Sequence, residues 1–118
     1  MTQVRLQPEP TFEAPVSIHV PGKGELEMRW TFKYRNEEQL KKLRVKWFGD
    51  DAAKAPEGET AEKFDTIGYV MDIASGWELA EAFTRKNLEI FFRNYNGTQL
   101  KVSAAYYEEL AGARRKNS

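Results

Sequence analysis

Cysteine is absent from the 118-residue chain. That excludes disulfides, thiolate metal sites, Fe–S clusters and cysteine nucleophiles together, and suits a reducing compartment. Histidine is nearly as scarce. His19 is the only residue whose ordinary pKa lies near neutrality, and no Ser, Asp or second His is spaced to complete a catalytic group with it. No run approaches the roughly 18 apolar residues that a membrane span needs, and Met1 to Thr11 carries no apolar signal-peptide core. Neither sign of charge is in excess. Eighteen Lys and Arg balance eighteen Asp and Glu, and the pI is about 6.6, so the bulk positive field of a generic nucleic-acid binder is missing. Internal repeats and low-complexity tracts are also missing.

What is present is 41% hydrophobic and 31% charged sequence with 7 Phe, 5 Tyr and 3 Trp. This is the profile of one globular domain over 1–118, able to bury roughly two-thirds of its unfolded surface. It is expected in the cytoplasm. The first pattern is a period of two: Phe12, Ala14, Val16, Ile18 and Val20 are apolar, and after Pro21-Gly22-Lys23-Gly24 so are Leu26, Met28, Trp30, Phe32 and Tyr34. The alternation predicts an antiparallel β-hairpin over about 12–20 and 25–35. Every apolar position is even, so facing residues must sum to an even number, and only an odd loop of three or five residues keeps both faces intact. A register summing to 46 would set His19 opposite Glu27. Pro15 cannot donate to a ladder, which suits an edge strand or a bulge.

From residue 36 the period lengthens to that of a helix. Asn36 with Gln39 makes a capping box for a helix over about 37–48, with Leu40, Leu43 and Trp47 on one stripe. Thr60 caps a second over about 61–75, with Phe64, Ile67, Met71 and Ala74 inward and Gly76 as a stop. Thr84 opens a third over about 85–95, carrying Leu88, Phe91, Phe92 and Tyr95 and closed by Asn96-Gly97. Thr98 can cap a fourth over about 99–112, with Val102, Tyr106 and Leu110. The fold class is α+β: the hairpin packs its even face against three to four helices. A flexible N-terminus (1–10), an exposed loop (49–58) and a basic tail (113–118) flank these elements.

No catalytic, cofactor-binding or metal-ligating set emerges. The acids Asp50, Asp51, Glu57, Glu59, Glu62 and Asp65 lack the alternating order of a calcium loop, and Gly22 and Gly24 lie in a turn that no helix follows. Lys33, Arg35, Lys41, Lys42, Arg44 and Lys46 adjoin Trp47 and Phe48, so a small nucleic-acid-binding or regulatory adaptor using Arg29 to Lys46 is one reading. Glu37 and Glu38 at the start of the same helix, with cations toward its end, are also the ordinary dipole-matched arrangement. The connector Gly76 to Phe83 is unusually apolar, and its Trp77 and Phe83 are either core plugs or partner-facing anchors. The candidate partner-binding residues are Trp47, Phe48, Trp77, Phe83 and Tyr107.

The run Ile73-Ala74-Ser75-Gly76-Trp77, then Asn87-Leu88-Glu89, Phe91-Phe92, Asn94-Tyr95, Ala105-Tyr106-Tyr107, Leu110 and Ala113 to Asn117, resembles the tail assembly chaperones of long-tailed bacteriophages and prophages. Phe12-Glu13-Ala14-Pro15-Val16 and Trp30-Thr31-Phe32-Lys33-Tyr34-Arg35 look like that family's opening hairpin. The resemblance implies a non-enzymatic assembly factor of the bacterial host cytoplasm. Its expected partners are the tape measure protein and the tail tube protein, with no cofactor, membrane or nucleic acid. Whether the chain forms a homo-oligomer and whether a frameshift-extended form exists stay open.

Overall fold

The period-two segments form two antiparallel strands, β1 (Thr11–Val20) and β2 (Gly24–Lys33), in register from Thr11↔Lys33 to Val20↔Gly24. The computed structural model describes residue 4, residues 6–49 and residues 64–112. Facing residues sum to 44, and the loop has the odd length that parity demands, three residues. Lys23 N–H donates to the Val20 carbonyl at 2.8 Å. Pro21 cannot take a positive φ, whereas Gly22 at φ 83° supplies the one positive angle that a type II turn needs.

Ala14, Val16, Ile18, Met28, Trp30 and Phe32 are all buried on the even face. Leu26, on the same face but nearest the turn, is 48% exposed, so the helical cover thins toward the tip. Tyr34 N–H donates to the Pro10 carbonyl at 2.8 Å, which makes even-numbered pairs the hydrogen-bonded ones. Odd residues of β1 therefore aim their amides away from β2, and β1 is an edge strand. Pro15 sits where its missing N–H costs no ladder bond and where it interrupts the open edge as a pairing template.

The sheet has a third strand that the helical pattern conceals. The sequence pattern carries the second helix to residue 75, with Gly76 as its stop. Instead the helix ends at Ile73, and β3 (Ala74–Trp77) pairs antiparallel with β2, with a shift in register between Thr31 and Phe32. Ser75 and Gly76 are poor helix formers, and the free edge of β2 offers their backbone groups partners. β2 thereby becomes the central strand. On the odd face, Glu27 and Arg29 are exposed, whereas Thr31 and Lys33 are half-buried. Thr31 faces Gly76, and Lys33 Nζ donates to the Met71 carbonyl at 3.1 Å.

Among the described residues four helices follow the hairpin. α1 (Glu37–Phe48) opens with the expected box, Asn36 Oδ1 accepting from Gln39 N–H while Gln39 Oε1 accepts from Asn36 N–H, and ends at Gly49. α2 (Thr66–Ile73) is capped by Asp65; the expected cap Thr60 and the start at 61 lie outside the described residues. Its buried residues are Tyr69, Val70 and Ile73, while Ile67 and Met71 are only half-buried. The segment is apolar nearly all round because it lies between the sheet and the two later helices. α3 (Arg85–Asn94) is capped by Thr84 as expected and buries Leu88 and Phe91. α4 (Thr98–Ala111) packs on β1 and buries Val102, Ala105 and Tyr106. Thr98 is not its cap. It is the first helical residue, itself buried, and the turn is made by Gly97 at φ 81°. Beyond Gly49 the expected loop lies outside the described residues, as does the tail 113–118.

Candidate partner-binding surface

Trp30 projects from the central strand and is fully buried. Phe92 stacks on it with ring centroids 6.3 Å apart, while Trp77 at 5.5 Å, Phe83 at 5.9 Å and Phe91 at 6.1 Å meet it edge-on. Trp77 is placed by β3, and its Nε1–H donates to the Glu81 carbonyl at 2.8 Å, folding the connector back over the core. The apolar character of Gly76 to Phe83 is thus explained by packing. Trp30 Nε1–H is buried, and among the described residues it has no hydrogen-bond partner. That costs about 1–3 kcal/mol, which the surrounding rings outweigh.

A second aromatic group joins α1 to α2. Phe48 stacks on Phe64 with centroids 5.4 Å apart, and Trp47 stands edge-on to both Phe64 and Tyr69 at 5.8 Å. Tyr69 Oη shares a hydrogen bond with Ser103 Oγ at 2.8 Å and donates to Tyr107 Oη at 3.3 Å, carrying the group on to α4. The five candidate residues therefore fall in two places. Trp77 and Phe83 flank Trp30, whereas Trp47, Phe48 and Tyr107 surround Tyr69. All five are half-buried, with one edge in the core and one outward.

Asp72 ties these layers together, a role that sequence reasoning misses. It accepts from Arg35 Nη2 at 2.8 Å, Trp47 Nε1 at 2.8 Å and Lys46 Nζ at 3.1 Å. Arg35 Nη1 also donates to Tyr106 Oη at 3.1 Å, and Tyr106 Oη donates to the Lys33 carbonyl at 2.8 Å. Burial pushes the Asp72 carboxyl up. The bonds from Trp47 and Lys46 and the Arg35 charge outweigh it and hold the group below the usual carboxylate range. Burial is also the main cause that raises the Tyr69, Tyr106 and Tyr107 hydroxyls. The available signal was a lone acid inside the apolar run Thr66 to Ile73, since a half-buried charge needs partners.

His19 faces Glu25, not Glu27, because the register sums to 44. Its Nδ1 lies 2.9 Å from Glu25 Oε2. Ser17 Oγ donates to Glu25 Oε1 at 2.7 Å and Lys101 Nζ to the same oxygen at 3.1 Å. The Ser17 bond first, then those of Lys101 and His19, lower the Glu25 carboxyl to about 2. Ser17 binds the carboxylate and not the imidazole, so this is a surface hydrogen-bond cluster without the relay of a nucleophilic site.

The cations of Arg29 to Lys46 do not share one face. Arg29 lies 3.9 Å from Glu13, Lys33, Arg35 and Lys46 turn toward Met71 and Asp72, and Arg44 lies 6.0 Å from the Tyr107 ring centroid. Among the described residues no group of three metal-ligating side chains converges, and no helix is long and apolar enough to cross a membrane. A family model described as phage tail assembly chaperone matches residues 1–117. No curated protein and no solved structure gives a significant match.

Proposed function

The chain belongs to the phage tail assembly chaperone family, and from that premise we propose that it works without catalysis, binding the tape measure protein in the bacterial host cytoplasm and assisting assembly of the tail tube around it. The observation that carries this reading is the family match along nearly the whole chain. Physical chemistry supplies a rationale. A long helical protein with apolar stripes exposes patches that aggregate before assembly is complete. A small partner with aromatic walls spaced to take residues three, four and seven apart can shield them. Half-buried rings suit that role, because their inner edges are fixed by the core and their outer edges are presented without ordering on contact. Trp47, Phe48, Trp77, Phe83 and Tyr107 are the proposed contact residues.

The test is co-expression with the tape measure protein encoded by the same tail gene cluster. The chain should raise the soluble fraction of that protein and co-purify with it. Equal solubility with and without the chain, under matched expression, would remove the assignment.

A further inference from the structure

Among the described residues α1 shares little backbone contact with any single other element, and Leu43 is its one buried residue. It is moored at its C-terminal end by the Trp47 and Phe48 rings and by the bonds from Lys46 and Trp47 to Asp72. Its opposite flank does not close on α4. Between them lies a cleft of about 500 Å³, walled by Leu40 and Arg44 of α1 and by Tyr107, Leu110 and Ala111 of α4. Tyr34 and Leu110 are shared with an adjoining recess of about 320 Å³ over Phe12, so the two form one groove.

The charges in this groove are unevenly matched. Arg35 is already satisfied by Asp72 and Tyr106. Arg44 is half-buried over the Tyr107 ring, and among the described residues no carboxylate pairs with it. Three acids line the groove as well: Glu37 in the first turn of α1, two helical turns from Arg44, and Glu9 and Glu109 in the adjoining recess, whose walls do not include Arg44. A cation held against an aromatic face and flanked by aliphatic walls calls for a carboxylate that arrives beside apolar side chains.

We propose that the groove between α1 and α4 is the docking site for an amphipathic partner helix that lays an aliphatic stripe on Leu40, Tyr107 and Leu110 and sets a carboxylate on Arg44. An i, i+3, i+4 spacing brings apolar side chains and one acid to the same flank of such a helix. This deepens, and rests on, the assignment of a tape measure protein as partner.

The experiment uses the full chain co-expressed with the tape measure protein of its own gene cluster. Because the chain has no cysteine, Ala111→Cys places one thiol at the groove, and Glu27→Cys places one on the exposed sheet face as a control. The expected result is that the partner slows alkylation at residue 111 and leaves residue 27 unchanged, while Arg44→Glu lowers capture by about ten-fold or more. If the unmodified chain captures the partner but Ala111→Cys stays fully reactive in the complex, the groove is not the site, and the chaperone assignment stands. If the unmodified chain captures nothing, both fall. Shielding of Ala111→Cys without partner, rising with protein concentration, would assign the groove to a second copy and overturn the proposal. The alkylation readout decides even if Arg44→Glu fails to fold.

Discussion

The indole of Trp77 stands edge-on to that of Trp30, ring centroids 5.5 Å apart and planes at 79°, and the same two residues are backbone partners across β2 and β3. A residue fixed in both ways is a wall of the core before it is a contact for a partner. Trp77→Ala is therefore expected to lower stability by about 2–3 kcal/mol, less than a fully buried tryptophan because Trp77 keeps one edge in water. Urea unfolding measures it. An unchanged midpoint would contradict the core role and leave Trp77 as a partner contact alone.

Trp30 itself should be the costliest single truncation. It is fully buried and carries four aromatic neighbours. Trp30→Ala should cost about 3–5 kcal/mol. A loss below about 1 kcal/mol would contradict the packing of the even face.

Gly68 reverses the usual rule for helices. Alanine in place of an interior glycine ordinarily gains up to about 1 kcal/mol. Here an added Cβ would run into the Asp65 carboxylate and come within 3.2 Å of the Trp47 ring. That carboxylate caps α2 through Gly68 N–H at 3.0 Å and accepts from Arg85 Nη2 at 2.6 Å. Gly68→Ala should therefore destabilise by about 1 kcal/mol, the worth of a displaced cap. A rise in melting temperature would show that Asp65 moves aside freely.

The acid limb of stability should carry the signature of three carboxylates. Asp72, Asp65 and Glu25 are held low in the folded chain, Asp65 by the bonds from Arg85 and Gly68 N–H and Glu25 from 4.5 to about 2, and regain ordinary values on unfolding. As pH falls the unfolded chain takes up these protons first. The stabilisation is thus complete above the unfolded values, near pH 5, and is lost as pH drops through the folded ones. Urea midpoints between pH 2 and 6 should decline below about 4.5, and Asp72→Asn should flatten the decline more than Glu25→Gln or Asp65→Asn, because solvent screens the exposed Glu25 and Asp65. A flat profile down to pH 3 would refute the attribution to Asp72.

How much of this is readable from the chain follows the range of the interactions. The hairpin is, because parity ties Val16, Ile18, Met28, Trp30 and Phe32 to one face without knowledge of anything distant. The starts of α1 and α3 are, because Asn36 and Thr84 act within three residues. β3 is not. Ala74 to Trp77 has no alternation of its own and becomes a strand only because the edge of β2, more than forty positions earlier, is free to pair. The aromatic residues are visible as residues, but their sorting around Trp30 or Tyr69 depends on that strand. Asp72 is invisible as a joint for the same reason: Arg35, beyond the end of β2, and Lys46 and Trp47 of α1 reach it from at least twenty-five positions earlier.

Tyr107 separates what a ring does from what its hydroxyl does. The hydroxyl accepts from Tyr69, whose own Oη retains Ser103 Oγ at 2.8 Å if Tyr107 loses its oxygen. Tyr107→Phe should therefore cost only about 0.5–1.5 kcal/mol and leave partner capture intact, because the ring still lies beneath Arg44 and still walls the groove. Tyr107→Ala removes that wall together with the edge-on contact to Tyr106 at 5.3 Å. It should cost about 2–3 kcal/mol and weaken capture of the tape measure protein beyond what the lost stability accounts for, read by comparing capture at a temperature where both variants are fully folded. If the phenylalanine variant loses capture as fully as the alanine variant, the hydroxyl is the contact and the groove is recognised by hydrogen bonding, not by its apolar floor.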